Sequence, residues 1–433
     1  MNRQPLIRIG RHVQKDSVEE LAIFGGLPLF SEPLHVGAPN VGDRRKILRR
    51  IVDILDRNWL TNDGPYVTEF ERRIKRITGA RHCIATSNGT LGLELAARGL
   101  GLKGEVIAPA FTFVATAHAL KWQGIQPVFC DIDPKTFTVD PERIEQLITP
   151  RTTGILAVHL WGRACDTEAL ARVASKHGLR LLYDASHAFG CTHLGHPVGQ
   201  FGDAEVFSFH ATKFVNTFEG GAITTNNDEL ATRLRLMKNF GFTGTDQVDY
   251  LGINGKMSEP AAAMGLTSLE SMSEFIRHNR RNYEAYQRAI EPIRGIRLVP
   301  FPENERNNYQ YINLQVDESE SGVSRDNLLR ILHAENVLAR RYFFPGIHNM
   351  EPYRSEFGPR PPLLPVTSKA ARQSICLPTG KRTSTIQIEQ IGALLEFITA
   401  NALEITRLLQ ADYHHERPTT RLTELANKRG GAS

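Results

Sequence analysis

Between Arg81 and Thr225 the chain repeats one pattern, a short apolar run followed by a helix-length amphipathic segment. The runs Glu105–Ala108, Pro127–Asp131, Gly154–His159, Leu179–Asp184, Ala204–Phe209 and Gly221–Thr225 predict strands. Between the earlier ones lie Ala115–Gln123, Pro141–Ile148 and Thr167–His177, whose apolar residues recur at the three- and four-residue spacing of a helix. Strands that read as continuous apolar runs, such as Ile155-Leu156-Ala157-Val158, are buried on both faces. The fold class is therefore α/β, a mostly parallel sheet covered by helices on each side. In such sheets ligands settle at the carboxyl ends of the strands, where Asp184, Ser208 and His159 fall.

At 433 residues the chain exceeds one ordinary core. The pattern predicts an extension over residues 1–20, a large unit over 21–265, a smaller α+β unit over 266–410 and a disordered polar tail over 411–433. In the second unit the expected elements are helices near Glu270–Ile290, Asp326–Glu335 and Ile386–Leu409 and a strand near Tyr311–Val316. The net charge of +5 is mild, and the densest basic cluster, Arg44-Arg45-Lys46 with Arg49-Arg50, has no aromatic residue interleaved. It reads as a solvated helix face within Asp43–Arg57, not a nucleic-acid surface. The five cysteines form no C-x-x-C pair and mostly sit in apolar runs, which points to buried thiols in a cytoplasmic protein. His187 and Cys191 are the nearest approach to metal-ligand spacing, and no metal site is expected. No apolar run reaches the ~18 residues of a membrane helix. The charged opening Met1–Asp16 does not read as a signal peptide.

Gly99-Leu100-Gly101-Leu102-Lys103-Gly104 spells a dinucleotide fingerprint, but it follows a helix and precedes a strand, the reverse of what that site needs. Its glycines are helix-stop and turn residues. Ser87-Asn88-Gly89-Thr90 has the opposite context: it follows an apolar run and opens the helix Leu91–Arg98. Alone it could still be an ordinary helix cap, though its context favours an anion cup built from free N–H groups. Leu181-Leu182-Tyr183-Asp184-Ala185-Ser186-His187 ends a strand on a carboxylate. Phe207-Ser208-Phe209-His210-Ala211-Thr212-Lys213, followed by Glu219-Gly220-Gly221, offers one lysine beside hydroxyl residues. Taken singly, Asp184 could cap a turn, Lys213 could be a solvated loop lysine and Phe113 could be core. Taken together they supply what pyridoxal phosphate requires: an amine to hold its aldehyde, a carboxylate to keep its ring nitrogen protonated, and a phosphate cup that includes Ser208.

These blocks, with Trp59-Leu60-Thr61-Asn62-Asp63-Gly64-Pro65, Thr112-Phe113-Val114-Ala115-Thr116, Val158-His159-Leu160-Trp161-Gly162, Asn254-Gly255-Lys256-Met257 and Leu377-Pro378, resemble the sugar aminotransferase (DegT/StrS) family from about Leu21 to Leu409. The resemblance implies a fold-type I pyridoxal phosphate enzyme with a mostly parallel sheet of seven strands and a smaller C-terminal α+β domain. It implies that Lys213 carries the cofactor, that Asp184 pairs with the pyridine nitrogen, and that Phe113 stacks on the ring. It further implies phosphate contacts from Gly89, Thr90 and Ser208, and from Asn254 reaching across a homodimer with shared sites. His187 stands where many members have Gln, Lys256 where many have an Arg for the donor carboxylate, and Asn88 where many have Ser. Lysine keeps the charge but loses the bidentate fork. These departures resemble the subgroup that aminates nucleotide-linked 4-keto-6-deoxyhexoses at C4, forming dTDP-4-amino-4,6-dideoxyglucose for glycosylated natural products. The implied substrates are glutamate and a nucleotide sugar; the mixed basic and aromatic stretch Arg340-Arg341-Tyr342-Phe343-Phe344-Pro345 with His348 of the second unit is expected to meet the latter, Arg341, Tyr342 and His348 foremost. Amination at C3, GDP- or UDP-linked sugars, a sugar dehydratase and a non-catalytic regulator are the alternatives. Lys213 speaks against the dehydratase, which carries histidine there, and the intact site residues speak against the regulator.

Overall fold

The computed structural model describes residues 15–415. The central sheet is built from β1 (His82–Thr86), β2 (Glu105–Pro109), β3 (Gln126–Cys130), β4 (Thr152–Val158), β5 (Arg180–Asp184), β6 (Ala204–Ser208) and β7 (Gly221–Thr225). Its spatial order is β1-β7-β6-β5-β4-β2-β3. β7 runs antiparallel to both its neighbours, and every other pair in the sheet is parallel. The strands lie within two residues of where the apolar runs placed them, because those runs are the parts of the chain that must be covered on both faces.

Successive side chains feed opposite cores. On one face Ile84, Val106, Leu156, Leu182, Val206 and Ile223 pack with α3 (Gly89–Gly99), α4 (Ala115–Lys121) and α6 (Asp228–Met237). On the other, Cys83, Ala85 and Phe207 meet α2 (Pro65–Thr78) and α7 (Glu259–Glu270), while Ile107, Ile155, Leu181 and Tyr183 meet α5 (Thr167–His177). α1 (Arg44–Arg57) is capped by Asp43, whose carboxylate accepts from the Arg45 and Lys46 N–H groups. All five cysteines are buried and free. Among the described residues no helix is long and apolar enough to cross a membrane.

The second core surrounds the antiparallel strands β8 (Ile296–Leu298), β9 (Ile312–Val316) and β10 (Ser374–Leu377), with α9 (Arg325–Ala334), α10 (Thr385–Ala400) and α11 (Ala402–His415). β8 and β10 escaped the sequence because each is too short to show a period. Three boundaries differ from expectation. The division expected at 265/266 falls inside α7, and the connector is α8 (Met272–Ile290), which starts in the sheet's core at Phe275 and ends in the second core at Tyr286 and Ile290. The opening of the chain, expected with the large unit from residue 21, instead buries Val18, Leu21, Phe30 and Leu34 in the second core. The closing helix is two helices, broken where Asn401 leaves helical geometry and its side chain donates to the Phe397 carbonyl. α11 runs to His415, past the expected start of the tail at 411. The rest of that tail and the first fourteen residues of the extension lie outside the described residues.

The opening segment is held by one buried ion pair. Glu335 accepts from the N–H groups of Ala22 at 2.8 Å and Leu29 at 2.6 Å, and lies 3.2 Å from Lys15 Nζ. Lys15 in turn donates to the Glu20 and Leu27 carbonyls. Glu335→Ala leaves a buried ammonium without its counter-charge and two N–H groups without acceptors. A loss of ~3–5 kcal/mol is expected in urea-unfolding stability, and a loss below ~1 kcal/mol would show that the pair is not holding the segment.

Candidate active site

A cavity of about 580 Å³ opens at the carboxyl ends of the parallel strands, between the start of α3 and the second unit. That volume suits a cofactor-sized ligand. Gly89, Thr90, Phe113, Asp184, His187, Ser208, Lys213 and Tyr342 of the expected residues all line it.

Asp184 is the last residue of β5 and is buried. Its Oδ2 accepts from Thr116 Oγ1 at 2.8 Å and its Oδ1 from the Ser186 N–H at 3.1 Å. Thr116 Oγ1 is itself 3.1 Å from Thr112 Oγ1, so two hydroxyls at i and i+4 at the start of α4 set the carboxylate's plane. Lys213 lies on the loop after β6, and its Nζ donates to Tyr311 Oη at 3.0 Å. Burial lowers this amine to about 8, against the opposing pull of the Asp184 carboxylate. His187 is buried, and burial, reinforced by the Lys213 charge, holds its pKa well below the usual range. The ring is therefore neutral. Its Nδ1 accepts from the Trp161 N–H at 3.3 Å, which leaves the proton on Nε2.

The cup is a matter of close approach. Asn88 caps α3 by accepting the Leu91 N–H at 2.8 Å, so the Gly89 and Thr90 N–H groups are the first of the helix and have no intrahelical partner. A Cβ on Gly89 would stand 3.0 Å from the Ser208 Cβ, and one on Gly221 would meet the Asn88 carbonyl carbon at 2.6 Å. Only glycine lets β6, β7 and α3 converge here. Phe113, about half exposed, stands over the cavity as an uncovered aromatic face.

Other expected residues lie elsewhere. Arg341 turns away, 3.1 Å from Asp326 and over the Phe344 ring. His348 is buried outside the cavity, with Nε2 2.9 Å from Asn349 Nδ2. Asn254 and Lys256 also lie outside this chain's cavity: Asn254 bridges to Asn239 through the backbone, and Lys256 Nζ donates to Asn239 Oδ1 at 2.8 Å. His159 is fully buried, accepts the Cys165 N–H at Nδ1 and stacks on Tyr183 at 4.6 Å, a packing role. Thr116 and Tyr311 were not expected in the site, whereas Arg340 and Phe343 belong to the Arg340–Pro345 stretch expected at the substrate, and both line the cavity. Only Thr116 left a local trace, its i,i+4 pairing with Thr112. Tyr311 comes from 98 residues away.

Residues 42–396 match the model of the DegT/DnrJ/EryC1/StrS aminotransferase family. The chain belongs to that family. It is 39% identical over 324 residues to the dTDP-4-amino-4,6-dideoxy-D-glucose transaminase of Shigella dysenteriae, covering 75% of this chain and 88% of that one. It is 34% identical to the GDP-perosamine synthase of Caulobacter vibrioides, over 74% of this chain and 86% of that one. Among solved structures it superposes on DesI, determined in the presence of its TDP-sugar product, with a TM-score of 0.88 at 46% identity, covering 91% of this chain and all of that one. The protein is thus a pyridoxal phosphate-dependent aminotransferase of the fold-type I architecture. The cavity fits that cofactor: a half-buried amine, a buried and doubly hydrogen-bonded carboxylate, and a glycine-lined helix start with free N–H groups converge on it.

A hydrogen bond to a charged group contributes ~1.5–3 kcal/mol. Thr116→Val removes one such bond from Asp184 without changing the side chain's shape. We expect kcat to fall by ~10–100-fold with the cofactor retained and Thr116→Ser restoring the rate; unchanged kcat in the valine variant would remove Thr116 from the site.

Proposed function

We propose that this protein transfers the amino group of L-glutamate to C4 of dTDP-4-dehydro-6-deoxy-D-glucose, a step in making a deoxyaminosugar. The observation that carries this reading is the likeness, along most of both chains, to a transaminase named for the expected product, joined to a cavity holding Lys213 near Asp184. The relation to a GDP-perosamine synthase favours a GDP-linked 4-keto sugar as the second reading. Incubation with glutamate and a panel of dTDP-, UDP- and GDP-linked keto sugars, with mass detection of the amine, separates the two.

Bound pyridoxal phosphate supplies the electron sink for charge developing at the carbon that exchanges its proton. Lys213 Nζ would be its point of attachment, Asp184 would hold the proton on the pyridine nitrogen, and Gly89, Thr90 and Ser208 would hold the phosphate. Phe113 would cover the ring, and His187 would donate from Nε2 beside Lys213. Once free, the Lys213 amine would take the α-proton from the amino donor and later return a proton to C4 of the sugar. An amine at about 8 is roughly 10% free base at pH 7, where an ordinary lysine is about 0.04%. Tyr311 Oη aligns it by accepting one N–H. We further propose a cytoplasmic homodimer, in which Asn254 and Lys256 serve the cavity of a second copy. The motivation is their loop, which exposes Phe240, Leu251 and Ile253.

Lys213→Ala is expected to abolish turnover and the yellow, borohydride-fixable cofactor absorbance while the protein stays folded by circular dichroism; residual turnover would end this mechanism. The free amine is the base, so half-reaction rates should rise as pH passes through about 8 and level off above it. Tyr311→Phe removes an acceptor that favours the charged amine, so that limb should move to lower pH. A limb that stays put or moves up would contradict the role given to Tyr311.

A further inference from the structure

Resting on the transaminase reading above, we propose that Arg340 is the anion-binding residue of the substrate site, a guanidinium that grips the oxyanion of an incoming substrate. That oxyanion comes from one of two sources, the carboxylate of the amino donor or the diphosphate of the sugar nucleotide.

The sequence pointed to the stretch Arg340–Pro345 and to Lys256 for these contacts, and of its cations Arg341 and Lys256 do not line the cavity of this chain. Arg340 does. Its backbone is clamped on both sides by Cys376 of β10: the Arg340 N–H donates to the Cys376 carbonyl at 2.9 Å, and the Cys376 N–H donates back at 2.7 Å. The Cα is therefore fixed while the side chain remains exposed toward the opening, 5.9 Å from the Tyr342 ring centre. The other arginines nearby are spent. Arg341 pairs with Asp326, and Arg325 pairs with Asp326 and donates to the Ala371 and Ser374 carbonyls.

The remaining charges of the cavity are also accounted for. Asp184 is bound by Thr116 and Ser186, Glu219 lies 3.4 Å from His210, His187 is neutral, and Lys213 belongs to the cofactor. Arg340 is thus the one permanently charged cation lining the cavity that has no carboxylate within ion-pair distance among the described residues; its side chain meets only the neutral Tyr342. Both substrates carry oxyanions, and a planar guanidinium binds carboxylate and phosphate alike through two parallel N–H donors. An unpaired arginine beside an aromatic wall at the mouth of a cavity that admits two anions is placed to receive one.

The test uses the holoenzyme and probes other than the keto sugar, with guanosine 5′-diphosphate run beside the thymidine nucleotide, so it stands apart from the identity of that substrate. The half-reaction with glutamate is followed by cofactor absorbance, and thymidine 5′-diphosphate binding is followed by calorimetry. In Arg340→Gln, at least a tenfold rise is expected in the glutamate half-saturation concentration or in the diphosphate Kd. Arg340→Lys should fall between, with the maximal half-reaction rate kept within threefold. A rise with glutamate alone assigns the carboxylate, a rise with the diphosphate alone assigns the nucleotide, and either supports the proposal. All constants within twofold of the parent overturn it. So does a parallel loss of maximal rate and cofactor affinity, the mark of a merely structural residue.

Discussion

The register between β5 and β6 is the constraint from which the site follows. Asp184 pairs with Val206, and the pairing continues as the Ala185 N–H donates to the Val206 carbonyl at 2.8 Å. On its other side the Asp184 carbonyl accepts the His159 N–H at 2.9 Å. With the backbone held from both flanks, the carboxylate can point only toward the cavity. A slip of one residue would exchange it with Tyr183, whose ring belongs to the apolar packing under α5, and would bury a charge among Ile107, Ile155 and Leu170. Ser208, two residues beyond Val206, reaches the cup by the same register.

The second unit completes the site without supplying its charge pair. It is docked by a buried carboxylate: Asp131, just after β3, accepts the Val366 and Thr367 N–H groups at 3.0 and 2.7 Å and so caps the helix Pro365–Gln373 from outside. The Ile347 N–H donates to the Ala110 carbonyl in the same seam. These contacts bring β9 close enough for Tyr311 to meet Lys213, and β10 close enough to clamp Arg340. The lysine's depressed basicity thus depends on packing that closes the cavity as well as on its own loop.

This division explains what could be read in the chain and what could not. The sheet was legible because strands covered on both faces must be apolar runs, and Asp184 and Lys213 were legible as polar residues placed where those runs end. Tyr311 was not, because its partner is fixed by the docking of two units and not by any local spacing. Arg340 and Arg341 show a finer limit. In an extended segment neighbouring side chains point opposite ways, so one of two adjacent arginines faces the cavity and the other faces Asp326. Which one is decided by the phase of the bridge to Cys376, and two identical residues in a row carry no sign of it. The second-core placement of Leu21 and Leu34 was hidden for the same reason, since their partners lie some three hundred residues further along.

Histidine at 187, where the resemblance led us to expect glutamine, becomes intelligible from its surroundings. A charged imidazole beside Lys213 would repel the amine and raise the cost of burying both. Burial and that neighbouring charge instead keep the ring neutral. The Trp161 N–H occupies Nδ1, so the ring presents a single donor, Nε2–H, as a glutamine amide could. Packing reinforces the orientation: the ring lies 4.5 Å from Tyr311 and stacks at 7° on Phe343. A residue that titrates near neutrality in water is thereby made into a fixed dipole, and the proton traffic of the cavity is left to the lysine.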